Sequence, residues 1–400
     1  MEYSTKIAKI EESKTIAVSA KAASLKKSGN NVISFGVGEP DFPTPELIKK
    51  AAGEAMQKNM TGYTSAAGLP ELKAAVINKF AADYNFKYTM DEVIISNGGK
   101  QVLFNGLAAI LNPGDEVIIP KPYWVSYPEI VKLAGGKPVF IETQKANNYK
   151  MTAADLTAHI NNNTKAIILN SPSNPDGHFY SEAEIAALID VLKNTELFII
   201  SDEIYDKLLY DNQQFVSLVQ QYPELKARIL VVNGMSKTYA MTGWRVGFGF
   251  ANADWISNMA KIQSHTTSNV NTIAQYASKI ALETDQLTKI IAERRQVFQQ
   301  RRDLVADYLT EIPGLEFIKP QGAFYYFIDI SALLGKKFDD KILNSSLDFA
   351  DVLLEAVKVA VVPGVAFGMD NFIRISFALN EEDIKQGLTR LADFVEQLYN

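Results

Sequence analysis

Six short apolar runs constrain this chain more than any other feature: Val93 to Ser96, Glu116 to Ile119, Pro138 to Ile141, Ala166 to Asn170, Leu197 to Ser201 and Ile229 to Val232. Stretches of helical character separate them, which is the rhythm of an α/β domain with a largely parallel sheet buried on both faces. Helix starts between the runs are marked chemically. Ser181 with Glu184 forms a capping-box pattern, and Thr44-Pro45-Glu46 puts Pro at the first helical position. From Gln286 to Glu311 the pattern becomes one long, charge-studded helix with Ile290, Ile291, Val297, Leu304 and Tyr308 as its apolar line, followed by Pro313-Gly314. A chain of 400 residues exceeds one ordinary core, so a second domain is expected to begin at that helix. A helix over residues 5 to 28 is expected to pack on this C-terminal unit rather than on the sheet.

Charge and composition remove several classes of function. A formal net charge of -6 gives no electrostatic reason to bind nucleic acid or an anionic membrane, and a small-molecule partner is expected instead. The chain has 0 cysteines, which excludes disulfides, thiolate metal sites and cysteine nucleophiles, and no metal site is expected. Residues 1 to 30 intersperse Lys6, Lys9, Glu11, Glu12, Lys14 and Lys21 among small apolar residues, unlike a secretory signal. No run of about 18 apolar residues is present, so no transmembrane helix is expected and a cytoplasmic enzyme is.

The unusual polar residues fall just after the apolar runs. Asn97-Gly98-Gly99-Lys100 follows one, Lys121-Pro122-Tyr123-Trp124 another, Asn170-Ser171-Pro172-Ser173-Asn174-Pro175 a third, Asp202-Glu203-Ile204-Tyr205 a fourth and Asn233-Gly234-Met235-Ser236-Lys237 a fifth. Open parallel sheets bind ligands at the carboxyl edge of their strands, so five clusters on that edge imply one shared site.

Each cluster has a plain reading beside a chemical one. Gly98-Gly99 enters a helix predicted over Gln101 to Leu111, where backbone N–H groups suit a phosphate; it also reads as a simple glycine turn, and it is neither a P-loop nor a dinucleotide fingerprint. Asp202 ends a buried run, so its carboxylate needs a cationic partner such as a protonated pyridine nitrogen, with Tyr205 reaching a ring oxygen; equally, Asp202 could cap the next helix and Tyr205 could be packing. Lys237 is a nucleophile for aldehydes if burial and a nearby cation lower its pKa, and Arg245 in Gly243-Trp244-Arg245-Val246-Gly247 supplies that cation and a phosphate fork; most lysines are solvated surface charges. Arg374 lies in the apolar run Phe372 to Phe377, where a substrate carboxylate or an internal salt bridge would pair it, unless its charge faces outward.

Together these residues resemble the class I, fold-type I pyridoxal-phosphate aminotransferases, and within them the bacterial aspartate aminotransferase subgroup. The resemblance runs from Gly38-Glu39-Pro40-Asp41-Phe42 through Tyr63, Gly98-Gly99-Lys100-Gln101, Pro122-Tyr123-Trp124, Asn170 to Pro175, Ser201 to Tyr205, Ser236-Lys237 and Met241 to Arg245, and on to Gly322-Ala323-Phe324-Tyr325 and Arg374-Ile375-Ser376. It implies an α/β fold: a large cofactor-binding domain over 45–285 with a mostly parallel seven-stranded sheet, and a smaller α+β domain over 1–44 and 286–400 that closes over the substrate. It implies pyridoxal 5'-phosphate bonded to Lys237, which also carries the proton to and from the substrate α-carbon. Asp202 would keep the pyridine nitrogen protonated, Asn174 and Tyr205 would bond the ring oxygen, and Trp124 would stack on the ring. Gly99, Lys100, Ser236 and Arg245 would hold the phosphate, with Tyr63 arriving from the second subunit of a homodimer. Arg374, Asn174 and the Gly38 backbone would clamp the α-carboxylate.

For substrate, the resemblance implies L-aspartate with 2-oxoglutarate, the distal carboxylate being met by Lys100 with Ser13 and Thr15. Relatives active on prephenate carry a basic residue two positions before that Ser; here it is Glu11, which counts against that activity. Asp176 stands where relatives usually have Thr. Alternatives on the same scaffold are transamination of aromatic or other neutral amino acids and a carbon-sulfur lyase. A ligand-sensing domain of a regulator would bring a basic DNA-binding segment, which this sequence lacks.

Overall fold

The apolar runs become neighbouring strands of one seven-stranded sheet in the computed structural model, which describes residues 4–5, 7–12 and 14–399. Its strands are β1 (Val93–Ser96), β2 (Glu116–Pro120), β3 (Lys137–Ile141), β4 (Thr164–Asn170), β5 (Phe198–Asp202), β6 (Ile229–Gly234) and β7 (Gly247–Phe250). They lie in the order β1-β7-β6-β5-β4-β2-β3. Only β7 runs antiparallel to its neighbours. That strand is not one of the apolar runs, because glycines at 247 and 249 break its apolar signal. Gly247 is required by packing: a Cβ there would sit 2.3 Å from the Gly98 carbonyl carbon and 2.5 Å from the Gly99 nitrogen.

Alternation along the strands fills both faces. Ile199 joins the cluster of Ile48, Leu72 and Ala274 on one side, and Ile200 joins Val102, Ile130 and Trp255 on the other. Each such fully buried Ile contributes about 2–3 kcal/mol of hydrophobic stabilisation, and both faces gain it. Helix starts follow the chemistry with two adjustments. Ser181 accepts from the Glu184 N–H and Glu184 bonds back, as the capping box requires. Pro45 is the N-cap, not the first helical residue, of the helix Glu46–Gln57, and the Thr44 hydroxyl donates instead to the Ala240 carbonyl at 2.7 Å. The glycine-led helix spans Gly99–Ala108, starting two residues before the predicted Gln101.

The C-terminal region builds a separate antiparallel sheet, in the order Val362–Pro363, Phe372–Ser376, Tyr325–Asp329, Glu316–Phe317. Its core includes Phe349, Ile373, Ile375 and Phe394. The N-terminal segment joins this region: Ile33–Ser34 pairs with Val359–Ala360, and Ala22 packs on Val32, Leu354 and Ala360. The expected helix over 5 to 28 is shorter, a 3-10 turn at Ile7–Lys9 and then an α-helix over Lys14–Lys27.

The helix Gln286–Thr310 bridges the two cores. Leu287 belongs to the large-sheet cluster, while Phe298, Val305 and Leu309 belong to the C-terminal one. The residues expected as its apolar line, Val297, Leu304 and Tyr308, are only half-buried. The buried arc is centred one residue further on, because Arg301 and Arg302 occupy inward positions that a hydrophobic pattern does not register.

Candidate active site

Five strand ends converge where β5, β6 and their loops meet the C-terminal sheet. After β6 the chain turns at Ser236 and presents Lys237, whose ammonium donates to the Gly38 carbonyl and lies over the rings of Tyr205 and Phe324 at 5.7 and 5.5 Å. Burial pushes this ammonium down to about 8, helped by Arg374 and then Arg245 and opposed by Glu39 and Asp202. Arg374 is therefore the stronger of the two repelling cations, where the sequence pointed to Arg245.

Asp202 ends β5 and is 5% exposed. Its Oδ2 accepts from the Tyr127 hydroxyl at 2.7 Å and its Oδ1 from the Ile204 N–H at 3.3 Å. Burial pushes its carboxyl up to about 6, against those two bonds and Lys237. The plain reading expected Asp202 to cap the next helix; a turn follows instead, and the Ile204 contact is a bond within it. The Tyr127 contact comes from the start of another helix, Tyr127–Ala134, and nothing in the sequence around Tyr127 distinguishes it from a core tyrosine.

Gly98 caps the helix Gly99–Ala108 at φ 80, a left-handed conformation that suits glycine. The Arg245 guanidinium lies against it: a Cβ on Gly98 would come 2.5 Å from Arg245 Nη2. Arg245 is fixed by donating to the Thr242 carbonyl at 2.8 Å and the Asn97 carbonyl at 3.2 Å. A helix N-terminus, a bare glycine pair and a tethered guanidinium together make a fitting seat for a phosphate.

Arg374 lies on the strand Phe372–Ser376 and is 3% exposed. Its Nη1 donates to Asn174 Oδ1 at 2.9 Å and its Nη2 to the Gly36 carbonyl at 3.1 Å, while Nε has no partner. Among the described residues it makes no ion pair, so the internal salt bridge weighed from the sequence is absent there. Burial lowers its pKa, and only Tyr325 and Tyr205 offset this. The Tyr325 ring lies 4.3 Å from its guanidinium carbon, and the Tyr325 and Tyr205 hydroxyls bond at 3.0 Å. Asn174 is held by its own N–H on Asn170 Oδ1 at 3.0 Å, and Asn170 also donates to the Asp202 carbonyl at 3.0 Å. Asn170 thus ties the two sides of the site together, a role not singled out in the sequence.

The remaining expected residues are placed as follows. Trp124 packs edge-on against Tyr127, and the Lys100 ammonium stands 5.1 Å over the Trp124 ring. Burial and Arg245 lower the Lys100 pKa. Ser236 is 8% exposed beside Lys237. Ser13 lies outside the described residues; Thr15 is half-buried in the first turn of Lys14–Lys27. Glu11 donates its N–H to Glu129 Oε2 at 3.1 Å, and its charge raises the Tyr123 hydroxyl's pKa, secondary to burial, so it borders this end of the site. Tyr63 is 94% exposed and is not brought into the cluster within one chain.

Comparison with known proteins follows the same lines. A model of the family described as aminotransferase class I and II matches residues 30–391. The chain is 45% identical over 384 residues to an aspartate aminotransferase of Bacillus sp. (strain YM-2), covering 96% of each chain. It is 46% identical to an aspartate/prephenate aminotransferase of Cereibacter sphaeroides, covering 97% of each. The structure of the aspartate aminotransferase from Rhizobium meliloti superposes with a TM-score of 0.95 at 43% identity, over 99% of both chains.

Proposed function

Because the chain belongs to the class I and II aminotransferases, which work with pyridoxal 5'-phosphate, we propose that it moves the amino group between L-aspartate and 2-oxoglutarate, giving oxaloacetate and L-glutamate. The observation that carries this reading is Arg374, a buried guanidinium with an unpartnered Nε and no acidic partner among the described residues. A carboxylate supplied by the substrate completes it.

The residues fit the cofactor. Asp202 is a buried acid needing a cation, as a pyridine N–H offers; Gly99 and Lys100 at the helix start, with Ser236 and Arg245, suit its phosphate; Lys237 is an amine made nucleophilic by burial. When bound, pyridoxal phosphate supplies an aldehyde for the amino group and a protonated ring that withdraws electrons from the substrate α-carbon. Asp202 would hold that ring proton, and its own orientation is set by Tyr127. Lys237 Nζ would take the proton from the α-carbon and return it, a task suited to an amine that burial pushes down to about 8. Asn174 and Tyr205 would hold the ring oxygen, and Trp124 would cover the ring face and exclude water.

Arg374 with Asn174 and the Gly38 backbone orients the α-carboxylate. Lys100, with Ser13 and Thr15, takes the distal carboxylate and thereby favours a dicarboxylic substrate. The proposal leaves prephenate out, because an acidic residue, Glu11, stands where that reading needs a basic one, and its carboxylate pairs with Lys14 at 3.6 Å. We assign 45–285 to the large domain and 1–44 with 286–400 to a small domain that closes over the substrate. The exposed Tyr63 is assigned to the phosphate site of a second copy, making the enzyme a homodimer with shared sites. No helix among the described residues is long and apolar enough to cross a membrane, and we assign the enzyme to the cytoplasm.

The visible absorption of the purified holoenzyme tests the reaction. L-aspartate without acceptor should bleach the band, and 2-oxoglutarate should restore it. A band that aspartate leaves unchanged sinks the substrate assignment; continuous 2-oxo acid formation without acceptor shows a lyase instead.

A further inference from the structure

Asp176 is tied into the site by more contacts than a surface turn residue needs. Its Oδ1 accepts from the Ser173 hydroxyl and from the His178 N–H at 3.4 Å, and its Oδ2 pairs with His178 Nδ1 at 2.6 Å. The Asp176 and His178 side chains are 10% and 11% exposed. Backbone bonds close the same turn, Ser173 N–H to the His178 carbonyl at 3.1 Å and Gly177 N–H to the Ser173 carbonyl at 3.2 Å. Asn174 sits inside it.

The ends of this segment are anchored independently of Asp176. At one end Asn170 Oδ1 receives the Asn174 N–H. At the other, the Gln321 and Gly322 N–H groups both donate to the Gly177 carbonyl at 3.0 Å. Between them, the side-chain contacts of Asp176 brace the turn from which the Asn174 amide reaches Arg374 at 2.9 Å. His178 also walls two clefts, an inner one lined by Trp124, Asn170 and Asn174 and an outer one lined by Lys145, Tyr149 and Phe372. The Asp176–His178 pair therefore backs the carboxylate grip and separates it from the outer cleft.

We propose that Asp176 is a positioning residue: through Ser173 and His178 it fixes the turn that aims Asn174 Oδ1 at Arg374, and so sets the affinity for the carboxylate common to all substrates. This rests on the reading that Arg374 grips that carboxylate. A positioning role predicts a loss in binding with little loss in turnover, because Asp176 touches neither the reacting atoms nor Lys237.

The test measures, on the holoenzyme, kcat and KM for aspartate, glutamate and 2-oxoglutarate, and the Kd of maleate, a non-reacting dicarboxylate. Asp176→Ala should raise every KM and the maleate Kd about tenfold and alike, with kcat within about twofold. Asp176→Asn, whose amide oxygen still accepts from Ser173 and the His178 N–H, should recover most of the loss. Unchanged KM and Kd, a fall in kcat alone, or an Asn variant as weak as the Ala variant would each overturn the proposal. Should Asp176→Ala not fold, Ser173→Ala removes one donor from the same oxygen, and the same readings decide. A wild-type enzyme without aspartate turnover would sink the functional reading, yet the maleate comparison between variants still decides the role of Asp176.

Discussion

Arg302 and Arg374 are buried almost equally, at 1% and 3% exposure, and are treated in opposite ways. Arg302 donates to Asp211 at 2.6 and 2.8 Å, to Asp303 at 2.9 Å and to the Pro320 carbonyl at 3.1 Å. Burial pulls its pKa down, but those acids outweigh it and the net shift is upward. Arg374 has an amide, a carbonyl and an idle Nε, and its net shift is downward. The fold satisfies the first charge with acids and gives the second none among the described residues. Under the proposed function, that unequal satisfaction is what would separate a structural arginine from a binding one.

Replacing each arginine by Met, which keeps much of the volume without the charge, tests that contrast most severely. Arg374→Met should lower kcat/KM for every amino acid by on the order of a thousandfold while leaving the midpoint of chemical denaturation nearly unchanged. A marked loss of stability would mean that Arg374 is structural. Arg302→Met should do the reverse, destabilising the fold by about 2–4 kcal/mol in urea titration while the folded fraction keeps its kcat/KM.

The acid opposite them sharpens the point. Asp202 has a folded pKa raised to about 6, so its neutral form favours the fold; that contribution is complete below the ordinary carboxylate range and is lost as pH rises through about 6. In the cofactor-free chain, Asp202→Asn should therefore be more stable than wild type by on the order of 2 kcal/mol at pH 8, with the gap closing near pH 4. Thermal melts across that range check it, and a gap independent of pH would refute the burial account. The smallest effect is expected at Lys100. Lys100→Ala should lower kcat/KM for aspartate and glutamate about tenfold more than for neutral amino acids, and equal losses would remove it from the distal carboxylate site.

Much of the site is readable without coordinates, since a polar residue that ends a buried strand has few places to go. Lys237, Asp202 and the Gly98-Gly99 pair follow from their positions after β6, β5 and β1. Tyr127 does not, because its bond to Asp202 spans 75 residues and its neighbours look like any amphipathic helix start. Asp176 reads only as a departure from relatives; the pairing with Ser173 and His178 that gives it a task needs the turn to be folded. The strand Gly247–Phe250 escapes a hydrophobic scan because its glycines serve close packing, Gly247 against Gly98 and Gly99 and Gly249 against Val102 and Ile94.

The amino-acid sequence by itself determined six of the seven large-sheet strands and the helices between them, the edge at which the unusual polar residues collect, and the residue types suited to an aldehyde cofactor and a carboxylate. These follow from periodicity and from chemistry carried within a few neighbouring residues. Tertiary structure alone decided that Arg374 meets Asn174 across 200 residues and finds no acid among the described residues, that Lys237 is pushed down to about 8 chiefly by burial, and that the long helix turns Phe298, Val305 and Leu309 inward. Desolvation and pairing depend on every atom packed around a group, and those atoms come from segments that local pattern cannot connect.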